Sequence, residues 1–215
     1  MVHFFDEIPK DIMAWVQQQK MFWVATAPLA EDGHINLSPK GFEGTFHIVD
    51  PTTVWYEDMS GSGVETISHI RENGRLVIMF CAFEGPPQII RFWGKGEVHE
   101  FDTPGYNALI PLAKRQPGSR SVIMLHITKV STSCGFSIPF YTFRSHRMKL
   151  HKMAAFKESK DIEAEAASCY QAKARGYPDR PTAGLKGYWE KNNVKSIDGL
   201  PGLQDAYKST TMFDR

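Results

Sequence analysis

Strand-like alternation of hydrophobic and polar residues dominates the first 133 positions of the chain. Residues Asp32-Gly33 form a strong hairpin signal between the first two of these segments. Because no regular alternation of strands and helices follows, the pattern favours a small antiparallel barrel over a parallel sheet. The predicted strands are residues 22–27, 34–40, 53–57, 75–83, 88–101 and 122–133.

Helical spacing is confined to four stretches and predicts helices around the barrel. They are residues 10–19 after Pro9, residues 63–73 before Asn73-Gly74, residues 109–114, and the charged, alanine-rich segment that follows Phe143. The tail at 187–207 shows turn chemistry and few core positions. We therefore expect a barrel domain over 1–143 with its N-terminal helix. A helical extension over 144–215 is expected to pack on the barrel or on a dimer partner.

The strand at 34–40 is expected to have one core face and one polar face, since side chains alternate along a strand. Ile35 and Leu37 would then face the core. Asn36, Ser38 and Lys40 would form the polar face.

Two later strands carry further expectations. The segment 75–83 is almost continuously apolar, which is typical of a strand buried on both faces. In the segment 88–101, Arg91, Trp93 and Lys95 share one face, and Gly94 and Gly96 share the other. Paired glycines in a strand predict a bend or a close backbone contact there.

Composition limits the classes of partner. The 25 basic and 24 acidic residues nearly cancel, so no chain-wide field favours nucleic acid or an anionic membrane. No apolar run reaches the roughly 20 residues that span a bilayer. Cys81, Cys134 and Cys169 lack the spacing of a disulfide framework or a zinc site, and no secretory leader is recognised. We expect reduced, mostly buried thiols in a cytoplasmic protein.

The segment Ser60-Gly61-Ser62-Gly63 precedes a predicted helix and admits two interpretations. Ser62 can cap that helix, with Glu65 completing a capping box. Alternatively, backbone N–H groups at the helix N-terminus bind phosphate, assisted by the hydroxyls of Ser60, Ser62 and Thr66. Glu65 counts against the second interpretation, because a carboxylate in the first turn competes with an anion.

Other candidate residues are less distinctive. Lys40 is by default a solvated lysine at a strand end. Arg91 lies in a run that should be largely buried, where it needs either a bound phosphate or an internal carboxylate. His146 and His151 are five residues apart and do not predict a metal site. Nucleotide-binding glycine loops and the serine-hydrolase elbow are missing from the sequence.

In combination, several motifs resemble the pyridoxamine 5'-phosphate oxidase-like family of FMN-binding split barrels. They are "FWVATAPLAEDGHINLSPKG", "TVWYEDMSGSGVET" and "HIRENGRLVIMFCAFEGPPQIIRFWGKGEV". The tail segment "EKNNVKSIDGLPGL" is similar to an uncharacterised branch of that family. The resemblance implies a mainly β (α+β) fold, a six-stranded antiparallel split β-barrel with peripheral helices. It also implies a homodimer with FMN in the clefts between subunits.

The family pattern also implies which residues hold the flavin. Ser38, Lys40 and Gly41 match the strand end that lines the isoalloxazine and ribityl region. The corner Ser60, Gly61, Ser62, Gly63 and Thr66 matches the grip on the phosphate, and Arg91 matches a further polar contact.

Two departures from the oxidase itself limit the function that is implied. Ser-Gly-Ser-Gly stands where the oxidase has an arginine-lysine pair, and the substrate-binding arginine and histidine of its C-terminal segment have no match. Vitamin B6 oxidation is therefore not implied. The sequence predicts an FMN-binding protein, an oxidoreductase acting on an unknown small molecule, with no catalytic side chain singled out. A non-catalytic flavin-binding or flavin-sensing protein and a haem- or tetrapyrrole-binding split barrel remain as alternatives.

Overall fold

Strands supply most of the regular structure in the computed structural model, which describes residues 2–171 and 183–213. The strands are β1 (Val2–Phe5), β2 (Met21–Thr26), β3 (Asn36–Gly41), β4 (Phe46–Asp50), β5 (Thr53–Met59), β6 (Arg75–Cys81), β7 (Ile89–Glu100) and β8 (Ser119–Ser133). The helices are α1 (Lys10–Gln17), α2 (Glu65–Asn73), α3 (Pro104–Leu109), α4 (Lys149–Gln171) and α5 (Leu185–Asn192), with short 3₁₀ turns at Leu112–Lys114 and Ala206–Lys208.

Within the described residues, the strands form one antiparallel sheet in the order β3-β2-β6-β7-β8-β5-β4, with β1 paired to β8. The hairpin predicted at Asp32-Gly33 is confirmed, since β2 pairs with β3 and Thr26 lies opposite Asn36. The mainly β, split-barrel class is confirmed as well. All six predicted strands are present, and β1 and β4 join them.

The chain divides into two compact units. The first unit comprises residues 2–57, Glu65–Val98 and Ile123–His146, and the second comprises Asp58–Val64, His99–Val122 and 147–213 as far as these are described. The expected division into 1–143 and 144–215 stays a prediction. No helix in the described ranges is long and apolar enough to cross a membrane.

The core of the first unit is built from alternate side chains of its strands. Phe22, Tyr56 and Phe80 are at most 3% exposed, and the Phe22 ring lies 5.3 Å from the Tyr56 ring and 5.5 Å from the Phe80 ring. Such offset and edge contacts are favourable for aromatic rings. In β6, Val77 and Met79 are only half-buried, so the prediction of a strand buried on both faces is wrong.

The side of β3 that was predicted to face the core is exposed. Ile35 and Leu37, predicted to face the core, are 77% and 63% exposed in the single chain. β3 is an end strand of the sheet, and in the single chain nothing covers these two side chains. Asn36, Ser38 and Lys40 are the half-buried residues.

Gly94 and Gly96 make the close contacts that the sequence predicted. A Cβ at Gly94 would lie 2.9 Å from Leu125 Cδ1 and closer still to the His126 carbonyl oxygen. A Cβ at Gly96 would lie 2.9 Å from Ile70 Cδ1. The backbone of β7 therefore approaches β8 and α2 to distances that only glycine permits.

The second unit has an aromatic core of its own. Trp189 is fully buried, and its ring lies 5.8 Å from the Phe101 ring and 6.0 Å from the Phe213 ring. The buried Glu100 carboxylate accepts three backbone hydrogen bonds of 2.7 Å from residues 204–206. The prediction that the tail has few core residues is therefore wrong.

Two local expectations also need correction. The helix predicted at 109–114 is divided, because Pro111 lacks the N–H that a continuing helix requires. α3 begins after the Thr103 cap and ends at Leu109, and a 3₁₀ turn follows at Leu112. Of the cysteines, Cys81 is a buried thiol and Cys134 is an exposed one. The side chain of Cys169 lies outside the described part.

Candidate functional site

The polar face of β3 leads into a hydrogen-bonded network in the first unit. The Asn36 amide nitrogen donates to the Thr26 hydroxyl at 3.1 Å and to the Thr66 hydroxyl at 3.0 Å. The Asn36 amide oxygen accepts from the Ser38 hydroxyl at 2.7 Å. These three bonds fix the amide in one orientation and bring two predicted site residues, Ser38 and Thr66, to the same side chain.

His69 extends this network into the interior. It lies on α2, is fully buried, and its Nδ1 is 2.9 Å from the Thr26 hydroxyl oxygen. The contact joins residues 43 positions apart in sequence. No local pattern pointed to Thr26 or His69, because such a contact depends on how α2 packs against β2.

Thr66 has the strongest features of a ligand donor in this network. It is 5% exposed and lies in the first turn of α2, where free N–H groups and the helix dipole favour an anion. Its oxygen accepts from Asn36, which leaves the hydroxyl proton to be donated. No acceptor for that proton lies among the described residues. A buried donor in this state is suited to a phosphate or hydroxyl oxygen of a bound molecule.

Lys40 and Gly41 lie at the other end of β3. Lys40 is half-buried and pairs with Phe22 across the hairpin. Its Nζ is 5.7 Å from the centre of the Tyr56 ring, a cation–π distance. The prediction of a plain solvated lysine is therefore wrong for this side chain. The network residues and Lys40 lie on one face of β3, because side chains alternate along a strand.

The corner at Ser60–Gly63 belongs to the second unit, where internal hydrogen bonds hold it. The fully buried Ser60 hydroxyl donates to the Gly118 carbonyl oxygen and accepts from Trp189 Nε1, both at 2.6 Å. The Gly61 carbonyl oxygen accepts from the Asn193 amide at 3.1 Å. These bonds give the Ser60 side chain a structural role, whereas the Ser62 side chain is exposed.

A buried ion pair follows the corner. Arg120 donates from Nε to Asp58 at 2.8 Å and from Nη1 to the Gly63 carbonyl oxygen at 2.9 Å. Both side chains are almost fully buried. The positive charge beside the corner is therefore balanced by Asp58, and neither residue had been singled out from the sequence. The signal was available, because an arginine inside the apolar segment 119–127 needs a partner.

The surroundings of Arg91 differ from those that the sequence predicted. It is half-buried rather than largely buried, and Nη1 donates to the Ser133 hydroxyl at 3.4 Å. The expectation of an internal carboxylate is not met in the described part of the chain. Burial raises the pKa of the nearby Cys81 thiol, and the positive charge of Arg91 partly opposes that shift.

Taken together, the structure joins Ser38 and Thr66 through Asn36 and places Lys40 and Gly41 at the far end of the same strand. Ser60–Gly63 is held within the second unit, and Arg91 contacts β8. The assignment of these residues to a cofactor stays a prediction. Among the described residues, no three metal-ligating side chains form a cluster.

The curled antiparallel sheet with a few helices defines a split-barrel protein. Residues 8–134 match the family model described as pyridoxamine 5'-phosphate oxidase. The chain is also 34% identical over 213 residues to the pyridoxamine 5'-phosphate oxidase family protein ustO of Aspergillus flavus, covering 98% of this chain and 81% of that protein. The chain belongs to the pyridoxamine 5'-phosphate oxidase family.

Solved structures show weaker similarity. HupZ from Group A Streptococcus has a TM-score of 0.48 and 22% identity, over 59% of this chain and 99% of that one. A putative pyridoxamine 5'-phosphate oxidase from Listeria innocua has a TM-score of 0.40 and 14% identity, over 56% of this chain and 93% of that one. Similarity at this level does not carry a ligand or an activity from one protein to another.

Proposed function

We propose that the protein is an FMN-binding oxidoreductase that acts on a small molecule as a homodimer. The observation that carries this proposal is the hydrogen bond from Asn36 to Thr66. It connects the polar face of β3 with the first turn of α2 inside the segment that matches the family. Bound FMN would supply transfer of a hydride or of electrons through its isoalloxazine ring.

The residues present fit a flavin phosphate or ribityl chain without an arginine-lysine pair. Thr66 offers a buried hydroxyl donor at a helix N-terminus, and Lys40 offers a positive charge at the other end of β3. Ser38 is fixed by its bond to Asn36 and presents its oxygen as an acceptor. In this assignment the chain binds the cofactor mainly with neutral donors, and Asn36 and His69 position them.

Two exposed side chains support a homodimer. Leu37 lies on β3 on the side opposite the polar network, and Ile35 directly precedes the strand; they are 63% and 77% exposed. Adjacent exposed apolar residues on an end strand favour contact with another chain. A second subunit against this face would cover both apolar side chains.

The absorption spectrum of the purified protein tests cofactor binding. We expect flavin bands at about 375 and 450 nm. A Soret band in their place would instead identify a haem- or tetrapyrrole-binding protein and would contradict the proposal.

A matched pair of variants tests the site. Thr66→Val removes the buried hydroxyl and keeps the shape of the side chain, so we expect flavin to bind about tenfold more weakly. Thr128→Val, at an exposed position of β8, is the control and should bind flavin like the wild type. Lys40→Ala is expected to weaken flavin binding too. Unchanged flavin affinity in both Thr66→Val and Lys40→Ala would show that the assigned site is wrong.

Anaerobic reduction separates an oxidoreductase from a protein that only binds flavin. The flavin-loaded protein is mixed with NADH or NADPH in the absence of oxygen, and the absorbance at the longer-wavelength flavin band is followed. Bleaching of the band supports the oxidoreductase assignment. A flavin that stays oxidised with both donors would contradict a reductase that uses NADH or NADPH and would favour a protein that only binds flavin.

A further inference from the structure

The hydrogen bonds around Asn36 have a direction, and the amide of this residue sets it. The amide nitrogen lies 3.1 Å from the Thr26 hydroxyl oxygen and 3.0 Å from the Thr66 hydroxyl oxygen. The amide oxygen lies 2.7 Å from the Ser38 hydroxyl oxygen. An amide nitrogen only donates and an amide oxygen only accepts, whereas a hydroxyl group does both. The orientation of one amide therefore decides where three hydroxyl groups direct their protons.

In the structure the amide nitrogen faces the two threonines. Both amide protons are donated to the threonine oxygens, and the Ser38 proton is donated to the amide oxygen. Thr66 thus keeps its own proton for a ligand, and Ser38 offers a ligand only its oxygen. With the amide turned over, Thr66 would give its proton to Asn36 and Ser38 would keep its own. The two orientations present opposite hydrogen-bonding groups to whatever binds here.

His69 selects between these orientations through Thr26. Its Nδ1 atom lies 2.9 Å from the Thr26 hydroxyl oxygen, and Thr26 has only one proton to give. If Nδ1 carries no proton, it accepts the Thr26 proton, and Asn36 must then donate to Thr26. If Nδ1 carries a proton, Thr26 accepts it, and the Thr26 proton is satisfied only when Asn36 turns its oxygen toward it. The position of one proton on His69 is thereby linked to the orientation of the Asn36 amide.

Burial makes this link effective. His69 is fully buried, Thr26 is 4% exposed and Thr66 is 5% exposed. Water has little access to these groups, so a donor that faces a donor in this network stays without an acceptor, which is costly. The network is therefore expected to hold one direction from end to end.

We propose that His69 is a positioning residue for the candidate flavin site. With its proton on Nε2, it holds Thr26 and Asn36 in the orientation that directs the Thr66 proton to the ligand. The ligand then presents an acceptor oxygen at Thr66, where the free N–H groups of the first turn of α2 also favour an anion. At Ser38 it presents a hydroxyl donor.

This pattern matches the chemistry of FMN, which has a phosphate at one end of a chain of hydroxyl groups. The choice of ligand rests on the proposed function, whereas the direction of the network rests on the contacts within the chain. The two can therefore be tested by different measurements.

The direction of the network is tested by long-range ¹H–¹⁵N NMR of the histidine ring nitrogens in the full-length protein. The His69 ring is assigned through the backbone of α2, so this measurement needs no variant. We expect Nδ1 without a proton and Nε2 with one. A proton on Nδ1 would overturn the proposal, whether or not the protein binds flavin.

The effect on the ligand is tested by titrating FMN and riboflavin into the full-length protein after dialysis against flavin-free buffer. Thr26→Val keeps the shape of the side chain and removes the link between His69 and Asn36. We expect this variant to bind FMN about fivefold more weakly. Riboflavin, which lacks the phosphate that receives the Thr66 proton, should be affected by less than about twofold.

Tyr106→Phe is the control for the loss of a buried hydroxyl, since its hydroxyl lies 2.6 Å from the Ser119 hydroxyl in the second unit. It should bind both flavins like the wild type. Unchanged FMN affinity in Thr26→Val, or equal weakening of both flavins, would show that the link does not direct the Thr66 proton. A wild type without affinity for FMN would instead contradict the proposed function, and the position of the His69 proton would still decide the direction of the network.

Discussion

The missing side chain at Gly94 is what allows the backbone of β7 to lie against β8. We expect Gly94→Ala to lower the free energy of unfolding by about 1–3 kcal/mol, because the added methyl group has no space beside Leu125 and the His126 carbonyl oxygen. Urea unfolding measures the effect. Gly61→Ala is the matched control, since a Cβ there meets no atom within 4 Å. Its free energy of unfolding should stay within about 0.5 kcal/mol of the wild type. Equal losses in both variants would contradict the packing argument.

The carboxyl group of Asp161 has a raised pKa. Its carboxylate accepts hydrogen bonds from the backbone N–H groups of Leu185 at 2.6 Å and Lys186 at 3.1 Å, at the start of α5. Burial raises its pKa above the ordinary 3.8, while the hydrogen bonds from Lys186 and Leu185 and the charge of Lys186 oppose the shift. The nearby Glu165 carboxylate adds to it.

The sign of the pH effect follows from this shift. Since the folded chain holds the Asp161 proton more tightly than the unfolded chain, its stabilising contribution is complete below pH 3.8 and is lost as the pH rises through the folded-state pKa. We expect the free energy of unfolding of Asp161→Asn to lack this pH-dependent contribution, as measured by urea unfolding at several pH values between about 4 and 7. Asp11→Asn on α1 should keep it. The prediction is wrong if Asp161→Asn and the wild type show the same pH profile.

At the scale of elements, α5 holds the corner that precedes α2. Trp189→Phe removes the donor to the Ser60 hydroxyl and part of a fully buried ring. We expect a loss of about 1–3 kcal/mol in the free energy of unfolding and faster hydrogen exchange of the amides at 58–64. Tyr188→Phe removes only a 3.4 Å bond to the Gly61 carbonyl oxygen. That control should leave amide exchange in the corner unchanged. Equal exchange in Trp189→Phe and the wild type would mean that α5 does not hold the corner.

The elements also show what the sequence could and could not predict. The β2–β3 hairpin was predictable because its turn and its pairing lie within 21 residues of each other. The burial of Trp189 was not, because its ring packs on Phe101 from a distant part of the chain. The candidate site likewise has one feature that the local sequence could predict and one that it could not. Alternation in β3 predicted that Ser38 and Lys40 share a face, whereas the bond from Asn36 to Thr66 joins residues 30 positions apart.

The homodimer proposed for the whole molecule depends on the apolar side of β3, which carries Leu37 and continues into Ile35 just before the strand. The sequence pattern predicted a core face here, and the single chain leaves it exposed. Both observations are satisfied when a second subunit covers the face, because burial in an interface and burial in a core favour the same apolar residues. The proposed homodimer therefore explains a pattern that the fold of one chain leaves unexplained.

Oligomeric state in solution tests this explanation directly. We expect light scattering after size exclusion to give twice the chain mass for the wild type. Leu37→Glu should give the mass of one chain, because it places a charge in the centre of the proposed contact where no partner would pair it. Val49→Glu is the matched control, since Val49 is 58% exposed on β4 at the other end of the sheet order. That control should remain dimeric. A wild type of single-chain mass, or a Leu37→Glu variant that stays dimeric, would show that this face of β3 is not the subunit interface.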